Sequence, residues 1–113
     1  MTDYLAAARD IAASVDTFAE IDAVDLALAL GADYTEIDTN VLRIEPKESD
    51  TFMLLTLARG RGEDDPAGSF DVFYNCYELD EDEIARPFVE GHGVFVKDVD
   101  DLATALGIIA YWL

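Results

Sequence analysis

Apolar residues in the first fifteen positions recur at intervals of three and four. Tyr4, Leu5, Ala8, Ile11, Ala12 and Val15 draw one stripe along a helix predicted from Asp3 to Val15. Its alanines favour helix and allow close packing. Thr17-Phe18-Ala19-Glu20 has the form of a capping box, in which hydroxyl and carboxylate satisfy each other's backbone amides. The pattern therefore predicts a second helix from Phe18 to Leu30, ended by Gly31. Phe18, Ile21, Val24 or Asp25, and Leu28 mark its buried side. The run from Leu26 to Leu30 is apolar almost all round, so that end is expected to be covered on both sides.

Beyond a linker containing Tyr34 and Ile37, and a turn at Asp38-Thr39-Asn40, the period changes to two. Val41–Glu45 reads as a strand with Leu42 and Ile44 on one face. Pro46–Asp50 reads as a polar hairpin loop. Thr51–Ala58 is apolar on both faces, with Phe52 and Leu54 opposite Met53, Leu55 and Leu57, as in an internal strand. Arg59–Gly68 carries glycines, Pro66 and charges, the composition of a loop. Ser69–Tyr77 is a third strand, with Phe70, Val72, Tyr74 and Cys76 on one face.

Asp80–Glu83 reads as the cap of a short helix limited by Pro87. Gly91-His92-Gly93 reads as a turn, and Val94–Val96 as a short fourth strand. Asp98 is placed to cap a C-terminal helix from Val99 to Leu113. There Val99, Leu102, Leu106, Ile109 and Leu113 keep helical spacing, and Asp98, Asp100 and Asp101 complement the helix dipole. The expected fold is a single α+β domain over residues 1–113. It is an antiparallel β-meander of three to four strands, with two N-terminal helices and a C-terminal helix on one face.

Charge changes the picture more than size does. The 113 residues hold 25 Asp and Glu against 7 Lys and Arg, a formal net charge of −18. With 51% hydrophobic residues the chain has material for a core, so acidity here does not mean disorder. Such a charge repels nucleic acid and anionic membranes, which excludes direct binding to either. No apolar run reaches the roughly 18 residues of a membrane span, and the start lacks the pattern of a signal peptide. The lone Cys76 cannot form an internal disulfide. The sequence reads as cytoplasmic.

Little in the sequence suggests catalysis. His92 is the only histidine and is flanked by two glycines. A Cys76/His92 nucleophilic pair is conceivable across strands, but Cys76 shares a face with Phe70, Val72 and Tyr74, where a core cysteine belongs. A structural zinc site wants four Cys or His ligands, and the chain has two such residues. Gly60-Arg61-Gly62 opens like a phosphate loop without the glycine and Gly-Lys-Ser/Thr that must follow. Asp80–Glu83 lacks the spacing of a calcium loop. No enzyme activity, cofactor or metal is expected.

The acids themselves remain. Spread evenly they would serve solubility; concentrated on one face they could compete for a protein groove built for phosphates. The sequence clusters them at 63–65, 80–83 and 98–101, with Asp16, Glu20, Asp22 and Asp25 around the second helix. Asp98 already has a capping role. The candidate partner-binding residues are therefore Glu63, Asp64 and Asp65 with Asp80, Glu81, Asp82 and Glu83, all in connections at strand ends.

The first functional reading is a non-enzymatic interaction protein. It would be a nucleic-acid mimic that inhibits a basic DNA- or RNA-binding protein, of the anti-restriction or anti-CRISPR type carried by phages and mobile elements. The second is a small housekeeping or adaptor domain from a salt-adapted cytosol. Sixteen aspartates against nine glutamates, and only two lysines, Lys47 and Lys97, favour it. A homodimer is compatible with both.

Overall fold

The computed structural model describes residues 3–45, 50–59 and 68–113, and of Gly91 and His92 it describes the backbone alone. The chain runs through helix α1 (Tyr4–Ala13), a 3-10 turn (Phe18–Glu20) and helix α2 (Ala23–Ala29). Five strands follow: β1 (Asp33–Asp38), β2 (Val41–Glu45), β3 (Thr51–Ala58), β4 (Phe70–Leu79) and β5 (Ala85–Val96). Helix α3 (Val99–Tyr111) comes last. All strand pairs are antiparallel neighbours in the order β1-β2-β3-β4-β5, a pure meander. The α+β architecture is as the sequence predicts, with one strand more at the start of the sheet.

The register explains the core. Leu42 faces Leu55, Met53 faces Cys76, Leu55 faces Tyr74 and Leu57 faces Val72, so one face of the sheet is continuously apolar. Ala8 and Ile11 of α1 cover it, together with Leu26 and Ala27 of α2 and Leu102, Ala105, Leu106 and Ile109 of α3. α1 and α3 pack on each other, α2 lies toward β1 to β3, and α3 toward β5. β3 is internal and buries both Phe52 and Met53, as its two apolar faces demand. At roughly 1.5–3 kcal/mol per buried aliphatic or aromatic side chain, this single layer of contacts dominates the fold's stability.

Four details differ from the sequence reading. The helix expected from Phe18 to Leu30 is broken: Asp22 starts α2 with its own capping box, accepting from the Asp25 amide at 3.1 Å while Asp25 accepts from the Asp22 amide at 3.0 Å. That break rotates the helix, so Leu28 is 63% exposed rather than buried. The linker with Tyr34 and Ile37 is β1, an edge strand exposed at every position. Asp80–Glu83 is no helix cap but the turn of the β4–β5 hairpin, with the Glu83 amide donating to the Asp80 carbonyl at 2.9 Å. Finally, Gly91-His92-Gly93 is strand rather than turn. β5 runs through it, pairing His92 with Tyr74 and Gly93 with Phe73, and absorbs its irregular residues in bulges.

Candidate functional site: an acidic end of the sheet

In a meander, alternate connections fall at the same end of the sheet. β1 begins at that end with Asp33, β2 ends there with Glu45, Asp50 precedes β3, and β4 ends there with Glu78. Asp33 pairs with Glu45, Thr51 with Glu78, and the Leu79 amide donates to the Asp50 carbonyl at 2.9 Å. The β4–β5 turn adds Asp80, Glu81, Asp82 and Glu83. Eight carboxylates from four separate segments thus meet along one edge of the molecule. Five strands spaced about 4.8 Å apart make that edge about 19 Å wide. A duplex of similar length carries roughly 11 charges.

The turn has a defined internal structure. One oxygen of Asp80 accepts from the amides of Asp82 and Ile84, both at 2.9 Å, and the other accepts from Arg86 Nε at 3.1 Å. The Ile84 amide is the main reason its carboxyl is held below the ordinary aspartate range. Desolvation opposes the shift, and Arg86 and the Asp82 amide add to it. Asp80 is therefore a turn-forming residue, an Asx turn with a cation attached. Glu81, Asp82 and Glu83 are exposed, and no hydrogen bond or ion pair holds their carboxylates among the described residues. Glu83 has φ +61, a conformation that glycine adopts without strain and glutamate does not.

Of the other predicted residues, Glu63, Asp64 and Asp65 lie outside the described residues, as do Lys47 and the glycines at 60 and 62. The flanks of that connection, Ala58 and Phe70, stand at the opposite end of β4 from the Asp80 turn. Asp98 caps α3 by accepting from the Asp101 amide at 2.8 Å, as its spacing predicts. Glu20 accepts from the Asp16 and Thr17 amides at 2.6 and 3.1 Å, and Asp3 caps α1. These acids are engaged in helix ends. Missing from the sequence reading were Asp33, Glu45, Asp50 and Glu78, which only the pairing of distant strands brings beside the turn.

Burial pushes the Cys76 thiol upward in pKa, away from the reactive thiolate. Among the described residues no group of three or more His, Cys, Asp or Glu is arranged to hold a metal. A groove of about 310 Å3 between α1 and α2 is lined by Ala7, Asp10, Ile11, Ser14, Asp25 and Leu28 among others. No helix among the described residues is long and apolar enough to cross a membrane. Comparison with protein-family models, with curated proteins and with solved structures finds no match to this chain.

Proposed function

We propose that this chain is a non-enzymatic acidic interaction protein whose carboxylates imitate a nucleic-acid backbone and occupy the binding groove of a basic DNA- or RNA-binding protein. The observation that carries the reading is the convergence of eight acids along about 19 Å of sheet end, where among the described residues Arg43 and Arg86 pair with two of them. The six acids without an ion pair among the described residues amount, over that width, to about half the linear charge density of a duplex. The turn adds to it: Glu81, Asp82 and Glu83 are unengaged, and Glu83 keeps a carboxylate where the backbone favours glycine. The function of such a protein is inhibition by occupancy, and its compartment is the cytoplasm, where its nucleic-acid-binding target works. The inhibitor types carried by phages and mobile elements against restriction and CRISPR nucleases are the functional class it fits.

The test is competition. The protein is added to basic nucleic-acid-binding enzymes, and DNA is titrated against the complex. Displacement by DNA, with affinity falling steeply as salt rises, is the expected result. Converting Glu81, Asp82 and Glu83 to Gln, Asn and Gln should slow association if these charges lie at the rim of the contact. A basic partner that DNA does not displace overturns mimicry and leaves an acidic adaptor.

One observation favours the second reading, a domain adapted to a salt-rich cytosol. Acids also line β1 at Glu36 and Asp38, and the starts of α2 and α3, so the charge is not confined to one end. A salt-adapted domain unfolds when salt is withdrawn, whereas a mimic stays folded there and binds its partner most tightly.

A further inference from the structure

Helices α2 and α3 pack on one face of the sheet with α1 against them, and among the described residues no helix covers its other face. On that face, toward the acidic end of the sheet, Phe52 stacks on Tyr77 with ring centroids 5.0 Å apart, and the Arg43 guanidinium lies 4.1 Å over the Phe52 ring. Phe52 is thus only 9% exposed without belonging to the main core. Beside it Phe73 is 37% exposed and pairs with Thr56 on one side and Gly93 on the other. The Phe73 ring lies across Gly93, where an added Cβ would sit 2.9 Å from Cε1. The result is an aromatic surface in which the Leu54–Asn75 pair separates the Phe52–Tyr77 stack from Phe73 and its neighbour Thr56.

We propose that this open face is the contact between two copies of the chain, packed sheet to sheet. Charge selects the occupant. Of the nine outward positions on β3 and β4, only Asp71 is acidic, in a chain of net charge −18. A basic partner finds few carboxylates to grip there, while a second copy meets its like where self-repulsion is weakest. The alternative route to self-association, through the sheet edges, is obstructed. β1 carries Asp33, Glu36 and Asp38 with a bulge near Ile37, and β5 carries Pro87 and two register shifts. The area is near the lower limit: a face about 19 Å wide and eight residues long, at about 3.3 Å each, gives roughly 500 Å2 in projection. A biological interface clears about 500 Å2 on each side, and stable ones bury about 600–1,000 Å2. Stacked sheets about 10 Å apart would bury Phe73 of both copies.

The two kinds of contact respond to salt in opposite directions. Binding of a basic partner through the acidic end weakens as salt rises, whereas the dimer tightens because its self-repulsion is screened. Sedimentation and light scattering at roughly 100 µM, where even a micromolar association fills the dimer, should show two copies, more firmly joined at high salt. Phe73→Asp should raise the dimer Kd at least about thirtyfold, as at an interface hot spot, with the circular-dichroism spectrum unchanged. Tyr111→Asp, at an aromatic 79% exposed on the far side, should leave the Kd as it is. Thr56→Cys should be joined to its like by a short thiol-to-thiol crosslinker, with buried Cys76 out of reach; this arm does not depend on the Phe73 variant folding. A monomer at every salt concentration, a dimer indifferent to Phe73→Asp in a folded variant, or no Thr56→Cys crosslink overturns the proposal.

Discussion

Arg59 reaches from the end of β3 over the ring of Phe70, 5.1 Å from its centroid, and donates to the carbonyls of Gly68, Phe18 and Ile21. One of seven basic residues in a strongly acidic chain thus joins the 3-10 turn to the sheet. Desolvation pushes its pKa down and nearby Asp22 opposes the shift. Arginine's planar fork suits three carbonyls at once, and lysine's point charge does not. Arg59→Ala should cost about 2–3 kcal/mol, and Arg59→Lys should recover less than half of that, by urea unfolding. Equal stability of all three proteins would show the contact to be incidental.

Asp80 gives a pH signature. Its carboxyl pKa is depressed in the fold from an ordinary 3.8, so its contribution is present above the unfolded pKa and is lost as pH falls through the folded one. Asp80→Asn keeps an acceptor for the turn amides but loses the charge facing Arg86. The wild type should be the more stable at neutral pH, and the difference should close on acidification below the ordinary aspartate range. A gap that widens in acid would reverse the assignment.

Two glycines with positive φ make a matched pair. Gly31 has φ +63 and open space around it, while Gly68 has φ +82 and would place a Cβ 2.8 Å from the Ala19 amide nitrogen. Gly31→Ala should cost about 1–2 kcal/mol, the left-handed penalty alone. Gly68→Ala should cost clearly more, because backbone must move. Thermal melts of the two variants decide it, and equal losses would mean that the 3-10 turn yields freely.

Glu83→Gly should stabilise the β4–β5 turn by about 1 kcal/mol, since it removes a left-handed strain from a non-glycine residue. If the carboxylate serves binding, the same variant should bind a basic partner more weakly. Stability and affinity moving apart is the expected outcome, read by chemical denaturation and by binding at one fixed salt concentration.

Leu106 and Leu28 calibrate the core. Leu106 is fully buried and Leu28 is 63% exposed. Leu106→Ala should cost about 2–5 kcal/mol and Leu28→Ala about 0.5 kcal/mol or less. A large loss at Leu28 would signal a contact that the isolated chain does not contain.

Residues packed against the core were legible in the sequence, and those at its margins were not. Leu102, Leu106 and Ile109 repeat at helical spacing because a helix buries one stripe, and Thr51–Ala58 is apolar throughout because β3 has neighbours on both sides. β1 escaped notice because an edge strand with both faces exposed needs no alternation; its order comes from hydrogen bonds to β2. The first half of β5 was hidden by Pro87 and two glycines, which signal a turn in isolation but are tolerated on an edge strand. Of the acidic site, Glu81, Asp82 and Glu83 stood out as a run. Asp33, Glu45, Asp50 and Glu78 did not, because their proximity is a property of the meander and not of the local sequence.

The meander joins only strands adjacent in sequence, so each hairpin closes a short loop. The packing of α1 on α3 is different: it ties together segments separated by about 86 residues, from Ala13 to Val99. Closing a loop of that length costs about 4 kcal/mol of chain entropy. Folding therefore has a natural division of labour. The sheet can zip up from local contacts at little entropic expense, and the clasp between first and last helices makes the assembly cooperative, because neither helix has a full apolar surface to rest on until the other arrives.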